Sequence, residues 1–133
     1  MPLGALSLQR LGTCHPEIQT LIRAVEKGVD QGDLAYAGIY DITVLCGWRN
    51  EADQNEAVRK GASKTPWPRS AHNREPSDAV DIAPYPIPKD ADGNWLERPF
   101  EILHAYVAGV AHALGIDLDD ISWDRPHIAR KAP

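Results

Sequence analysis

Much that would announce a function is missing from these 133 residues. There are only two cysteines, Cys14 and Cys46, too far apart for a Cys-x-x-Cys pair and near no other thiol. They read as buried free thiols rather than a bridge, and a chain of this length can bury a core without disulfide staples. Basic residues are in deficit, 14 Lys and Arg against 19 Asp and Glu, for a formal net charge of −5. That balance argues against a general nucleic-acid binder, which shows a basic patch, but it leaves room for a local charged site. No apolar run approaches the roughly 20 residues that cross a bilayer. The opening "MPLGALSLQRL" lacks the basic and long apolar regions of a signal peptide. Synthesis in a cytoplasm is expected, so work beyond the membrane needs another route of export. No repeat or low-complexity tract is present.

What remains is an ordinary globular composition, 43% hydrophobic and 25% charged, which predicts one domain over residues 1–133. "SLQRLG" reads as a short helical turn. "HPEIQTLIRAVEKG" carries Ile18, Leu21, Ile22 and Val25 at helical spacing, with Pro16 at the start and Gly28 where a C-cap would fall. "YDITVLCGW" is β-branched and continuous, a buried strand. Asn50 caps a second helix that closes at Gly61. Pro66, Pro68 and Pro76 keep residues 62–78 in a loop. "AVDIAP" is a short strand, and a third helix runs from Pro99 to Gly115. The tail predicts a short strand through Ser122 and Trp123 and then an extended, proline-marked end. Helices and strands do not alternate strictly, so the expected class is α+β, a small and mostly antiparallel sheet flanked by helices.

Five histidines offer themselves for chemistry. His104 and His112 share a face of the third helix without an HExxH arrangement, and His15 stands at a helix start; these read as structural, capping or surface residues. His72 and His127 differ, since each lies on an irregular segment beside an acidic residue and next to a strand. Were they to converge with Asp81, two imidazoles and a carboxylate would suit a catalytic zinc with a fourth position for water. Such a site also needs a base that is not a ligand. Asp124 is placed for this in "DRPH", because polyproline-II geometry projects positions three apart to one side. A solvated loop and a surface tail would produce the same residues, and on this pattern alone both readings stand.

The ordered motifs go further. Gly47 and Arg49 with Gln54 five residues on, then Ser70 and His72, Ala79 and Asp81, and finally Asp124 and His127 resemble the M15 family of zinc peptidases. The nearer resemblance is to phage L-alanyl-D-glutamate endopeptidases and VanY-like D,D-carboxypeptidases. It covers most of the chain and implies a Hedgehog/D,D-peptidase-like fold. It also implies Zn2+ held by His72, Asp81 and His127, Asp124 as general base, and Arg49 orienting substrate or stabilising the oxyanion. Gln54 and Ser70 would line the substrate site. The chain departs from the usual pattern twice. His72 and Asp81 are nine apart rather than seven, without the intervening glycine, and the tail lacks a Gly-Gly loop, with Ile128 and Ala129 following the histidine.

The resemblance implies hydrolysis of a peptidoglycan stem peptide by a monomeric phage lysis enzyme. It would be made in the host cytoplasm, be released by a holin or carried in the virion, and act on the cell wall. No separate wall-binding module is expected, and no membrane or nucleic-acid partner. A D,D-carboxypeptidase of the same fold and a non-catalytic wall-binding or virion domain are the alternatives; a nuclease built on "HNRE" is remote.

Overall fold

The structure, a computed structural model, describes residues 2–119 and 126–131. In chain order it contains α1 (Ala5–Leu11), α2 (Pro16–Asp30), β1 (Ile42–Cys46), α3 (Glu51–Arg59), β2 (Ala79–Pro84), α4 (Glu97–Leu114) and β3 (His127–Ala129). Two 3₁₀ turns, Ala35–Ala37 and Ala71–Asn73, lie between them. The three strands form one antiparallel sheet in the order β1-β2-β3, so β2 is central. This is the expected α+β class.

The core lies on one face of the sheet. Ile42, Val44, Val80, Ile82 and Ile128 meet the stripe Ile18, Leu21, Ile22, Val25 of α2 and Leu103, Val107, Ala111 of α4 in one apolar cluster. Helical spacing and strand alternation thus converge on a common layer. His15 caps α2 by accepting from the Glu17 amide at 3.0 Å. Asn50 caps α3 by accepting from the Asp53 amide at 2.8 Å. The free edge of β1 is closed by α1, where Ser7 Oγ accepts from the Val44 amide at 3.0 Å and Arg10 Nη1 donates to the Val44 carbonyl at 2.9 Å.

Three expectations are revised. Gly28 is not a C-cap; α2 continues to Asp30, and Gly28 is where Tyr106 of α4 crosses to donate to Asp33 Oδ2 at 2.7 Å, leaving no space for a Cβ. Helix α4 begins at Glu97, two residues before Pro99, because proline is tolerated throughout a first turn. The proline-marked extension contains a third strand, for His127–Ala129 is buried and pairs with β2. The strand expected at Ser122 and Trp123 lies outside the described residues.

An irregularity in β1 directs the chain toward the site. Val44 pairs with Ile82 and Cys46 with Asp81, so Leu45 is an extra residue. The bulge turns Cys46 to the side of Asp81, away from the core, and leads into Gly47–Arg49. Gly47 packs directly on the Arg10 carbonyl and Thr13 Oγ1, leaving no room for a Cβ. Gly47→Ala should therefore cost about 1–3 kcal/mol. Chemical denaturation measures this, and an unchanged midpoint would refute the close-approach account.

Candidate metal centre

Asp81 is the middle residue on which the site is built. Its direct partner on β3 is His127, so the two side chains lie side by side on the face opposite the core. His72 arrives from the 3₁₀ turn before β2. That turn is fixed by a reciprocal cap: Ser70 Oγ accepts from the His72 amide at 3.2 Å, while Asn73 Oδ1 accepts from the Ser70 amide at 3.0 Å. The nine-residue interval to Asp81 is taken up by docking the loop on the α1–α2 turn. There the Ser77 amide donates to the Thr13 carbonyl at 2.9 Å and the His15 amide to the Ser77 carbonyl at 2.8 Å.

Three predicted residues thus converge. His72 Nε2 is 3.2 Å from Asp81 Oδ1 and 3.2 Å from His127 Nδ1, and His127 Nδ1 is 3.3 Å from Asp81 Oδ1. Tetrahedral ligands 2.0–2.1 Å from a metal lie about 3.3–3.4 Å from one another, which this triangle matches. The distances are long for charge-assisted hydrogen bonds, whose usual range is about 2.7–2.9 Å. Moreover, His72 Nδ1 donates to the Gly47 carbonyl at 2.7 Å. In the neutral ring, Nε2 is left with a lone pair facing the centre, the orientation a metal-ligating histidine requires. The residues fit a divalent metal such as zinc.

The same grouping sets the charges. Burial opposes ionisation of His72, but the Asp81 charge and hydrogen bond outweigh it and raise its pKa to about 9. Burial likewise opposes Asp81, yet the His72 charge and hydrogen bonds from both imidazoles hold it well below the usual carboxylate range.

Arg49 takes the other oxygen, with Nη2 3.3 Å from Asp81 Oδ2. Its Nε donates to Cys46 Sγ at 3.3 Å and its Nη1 to Gln54 Oε1 at 2.9 Å. Gln54 is fully buried. Its amide also accepts from Asn73 Nδ2 and donates to Ser63 Oγ and the Thr65 carbonyl. The structure thus places Gln54 behind Arg49, not on the cleft surface where substrate would lie. Ser70 does line the cleft, although its hydroxyl is occupied by the His72 turn. Asp124 lies outside the described residues.

Sequence reasoning passed over Cys46. Its Sγ is 3.9 Å from His72 Nδ1, so Cys46, His72 and Asp81 form a second donor group. That sulfur faces the ring nitrogen already committed to Gly47, whereas the Nε2 side faces Asp81 and His127. The bulge at Leu45 puts it there, and no spacing in the sequence signals it.

The centre opens on a cleft of about 200 Å³ whose walls include Arg49, Arg69, Ser70, Arg74 and His127. Beyond Arg49 lies a broader hollow of about 570 Å³, floored by Asp81 and walled by Trp95, Leu96 and Phe100.

A family model described as phage L-alanyl-D-glutamate peptidase matches residues 1–127. The chain belongs to the phage L-alanyl-D-glutamate peptidase family. No curated protein matches it by sequence. Among solved structures, the Serratia marcescens L-Ala D-Glu endopeptidase ChiX is similar to this phage-type peptidase. It is 26% identical with a TM-score of 0.68, over 98% of this chain and 90% of that chain.

The two donor groups make different demands on metal binding. After dialysis against zinc, metal analysis should find about one zinc per chain in wild type and Cys46→Ala, and none in His127→Ala. The reverse pattern would make Cys46 the third ligand.

Proposed function

We propose that this peptidoglycan peptidase is a zinc enzyme that hydrolyses the bond between L-alanine and D-glutamate in the stem peptide. The observation that carries the metal assignment is the triangle of donor atoms on His72, Asp81 and His127, with edges of 3.2, 3.2 and 3.3 Å. Zinc, when bound there, supplies a Lewis acid that acidifies water and polarises a carbonyl.

The chain's own groups do the rest. His72, anchored through Nδ1 to Gly47, and Asp81, anchored through Oδ2 to Arg49, are held in orientation before substrate arrives. Arg49 is itself gripped by Gln54 and Cys46, so its guanidinium is preorganised beside the reacting centre, where it favours charge developing on the scissile carbonyl oxygen. Asp124, three residues before His127, is assigned as the base that takes a proton from water and passes it to the leaving amine. Gln54 and Ser70 act by positioning Arg49 and His72. The enzyme is read as a monomer made in the bacterial host and released to the wall with a holin. Among the described residues no helix is long and apolar enough to cross a membrane.

Digestion of purified peptidoglycan by the zinc-loaded protein, with mass spectrometry of the products, separates the readings. Cleavage between L-alanine and D-glutamate is expected, whereas release of terminal D-alanine would indicate a carboxypeptidase. Asp124→Asn should retain zinc and lose about 10²–10⁴-fold in turnover. Full activity in that variant would remove Asp124 from the mechanism, and wall binding without turnover in wild type would favour the non-catalytic domain.

A further inference from the structure

Among the described residues, Arg49, Arg69 and Arg74 stand on the cleft beside the metal centre, and their charges are not equally used. Arg49 is committed to Asp81, Gln54 and Cys46. Arg74 pairs with Asp78 at 3.2 Å. Arg69 is exposed and has no carboxylate or carbonyl partner for its guanidinium among the described residues. Asp119, a carboxylate on the same wall, makes no ion pair with it. In a chain of net charge −5, a cation left open at the mouth of the site is available to a ligand.

Its backbone is well placed for that role. The Arg69 amide donates to the Pro66 carbonyl at 2.9 Å, and the next residue is Ser70, whose hydroxyl caps the turn carrying His72. The side chain therefore springs from a point fixed relative to the metal centre, three residues before His72.

The substrate supplies the matching charge. In an L-alanyl-γ-D-glutamyl link the chain continues through the γ-carboxyl, leaving the α-carboxylate free on the carbon bonded to the leaving nitrogen. Covalent geometry puts that carboxylate within about 4 Å of the scissile carbon. Asp81 would repel it, and Arg49 is already shared with Asp81.

We propose that Arg69 anchors this α-carboxylate and thereby sets the direction in which the stem peptide crosses the centre. The glutamyl side lies in the arginine-walled cleft. The alanyl side then lies toward the hollow where the Trp95 ring stacks on Phe100 at 5.1 Å. The inference rests on the peptidase reading above and adds a specificity that reading does not contain: α-amidated stem peptides, with D-isoglutamine in place of D-glutamate, are poor substrates.

The test compares kcat/KM of the zinc-loaded protein on muramyl-L-Ala-γ-D-Glu-L-Lys and on its D-isoglutamine counterpart. Wild type should prefer the carboxylate about 10- to 100-fold, as loss of one charged hydrogen-bond pair implies. Arg69→Ala should lose most of that preference, chiefly through KM on the carboxylate substrate, and Arg69→Lys should restore part of it. The melting temperature of Arg69→Ala should match wild type, since among the described residues the side chain holds no partner in the fold. Equal cleavage of both substrates by wild type, or an unaltered preference in Arg69→Ala, would overturn the anchor while leaving the peptidase standing. Cleavage of neither by wild type would bring down both.

Discussion

A carboxylate in the central strand of a three-stranded sheet is the constraint on which the rest of this protein depends. Asp81 keeps only 14% of its side chain exposed, and an ionised carboxylate so placed is costly unless it is paired and hydrogen-bonded. Arg49 answers on Oδ2 and the two histidines on Oδ1. These partners come from the β1–α3 junction, the Ser70 turn and the last strand. Satisfying one buried charge therefore draws three distant segments to a single point. The arrangement that satisfies the carboxylate also turns two imidazole nitrogens toward a common centre, so one geometry meets the needs of the fold and of a metal.

The motif residues divide according to how near they come to that centre. His72, Asp81 and His127 face it. Gly47 and Gln54 do not, yet each decides the orientation of a group that does: Gly47 through its carbonyl on His72, Gln54 through its amide oxygen on Arg49. Asn73 joins the two supports, donating to Gln54 Oε1 at 3.0 Å and to the Arg49 carbonyl at 3.2 Å. The last strand is held by the same means. Arg130 donates to Asp78 at 2.7 Å and to Glu17 at 2.9 Å, tying the residues after His127 to the start of α2 and to the approach to β2. Ile128 joins the apolar core and seats the strand that presents His127.

Much of the scaffold was legible in the chain because its signals are local. The apolar spacing of α2, the Asn50 cap and the β-branched run of β1 each depend on neighbours a few residues away. The misreadings arose where distant contacts override such signals. Gly28 looks like a helix terminator until Tyr106 is seen to cross it. The end of the chain looks irregular because a three-residue strand has too little length to show alternation and exists by pairing with β2.

The sequence by itself determined the element types, the core stripes and, through the order of its motifs, the family and the residues proposed to bear its chemistry. Composition and local periodicity suffice for the first two, and the motif series is specific as a set. Tertiary structure alone decided which atoms meet. It set Nε2 of His72 rather than Nδ1 toward Asp81, turned Cys46 to the site side by a one-residue bulge, and placed Gln54 behind Arg49. It also left Arg69, among the described residues, as a cleft arginine with no carboxylate partner. The placements of His72 and Cys46 depend on pairings across 25 to 55 residues of chain, which no local pattern encodes.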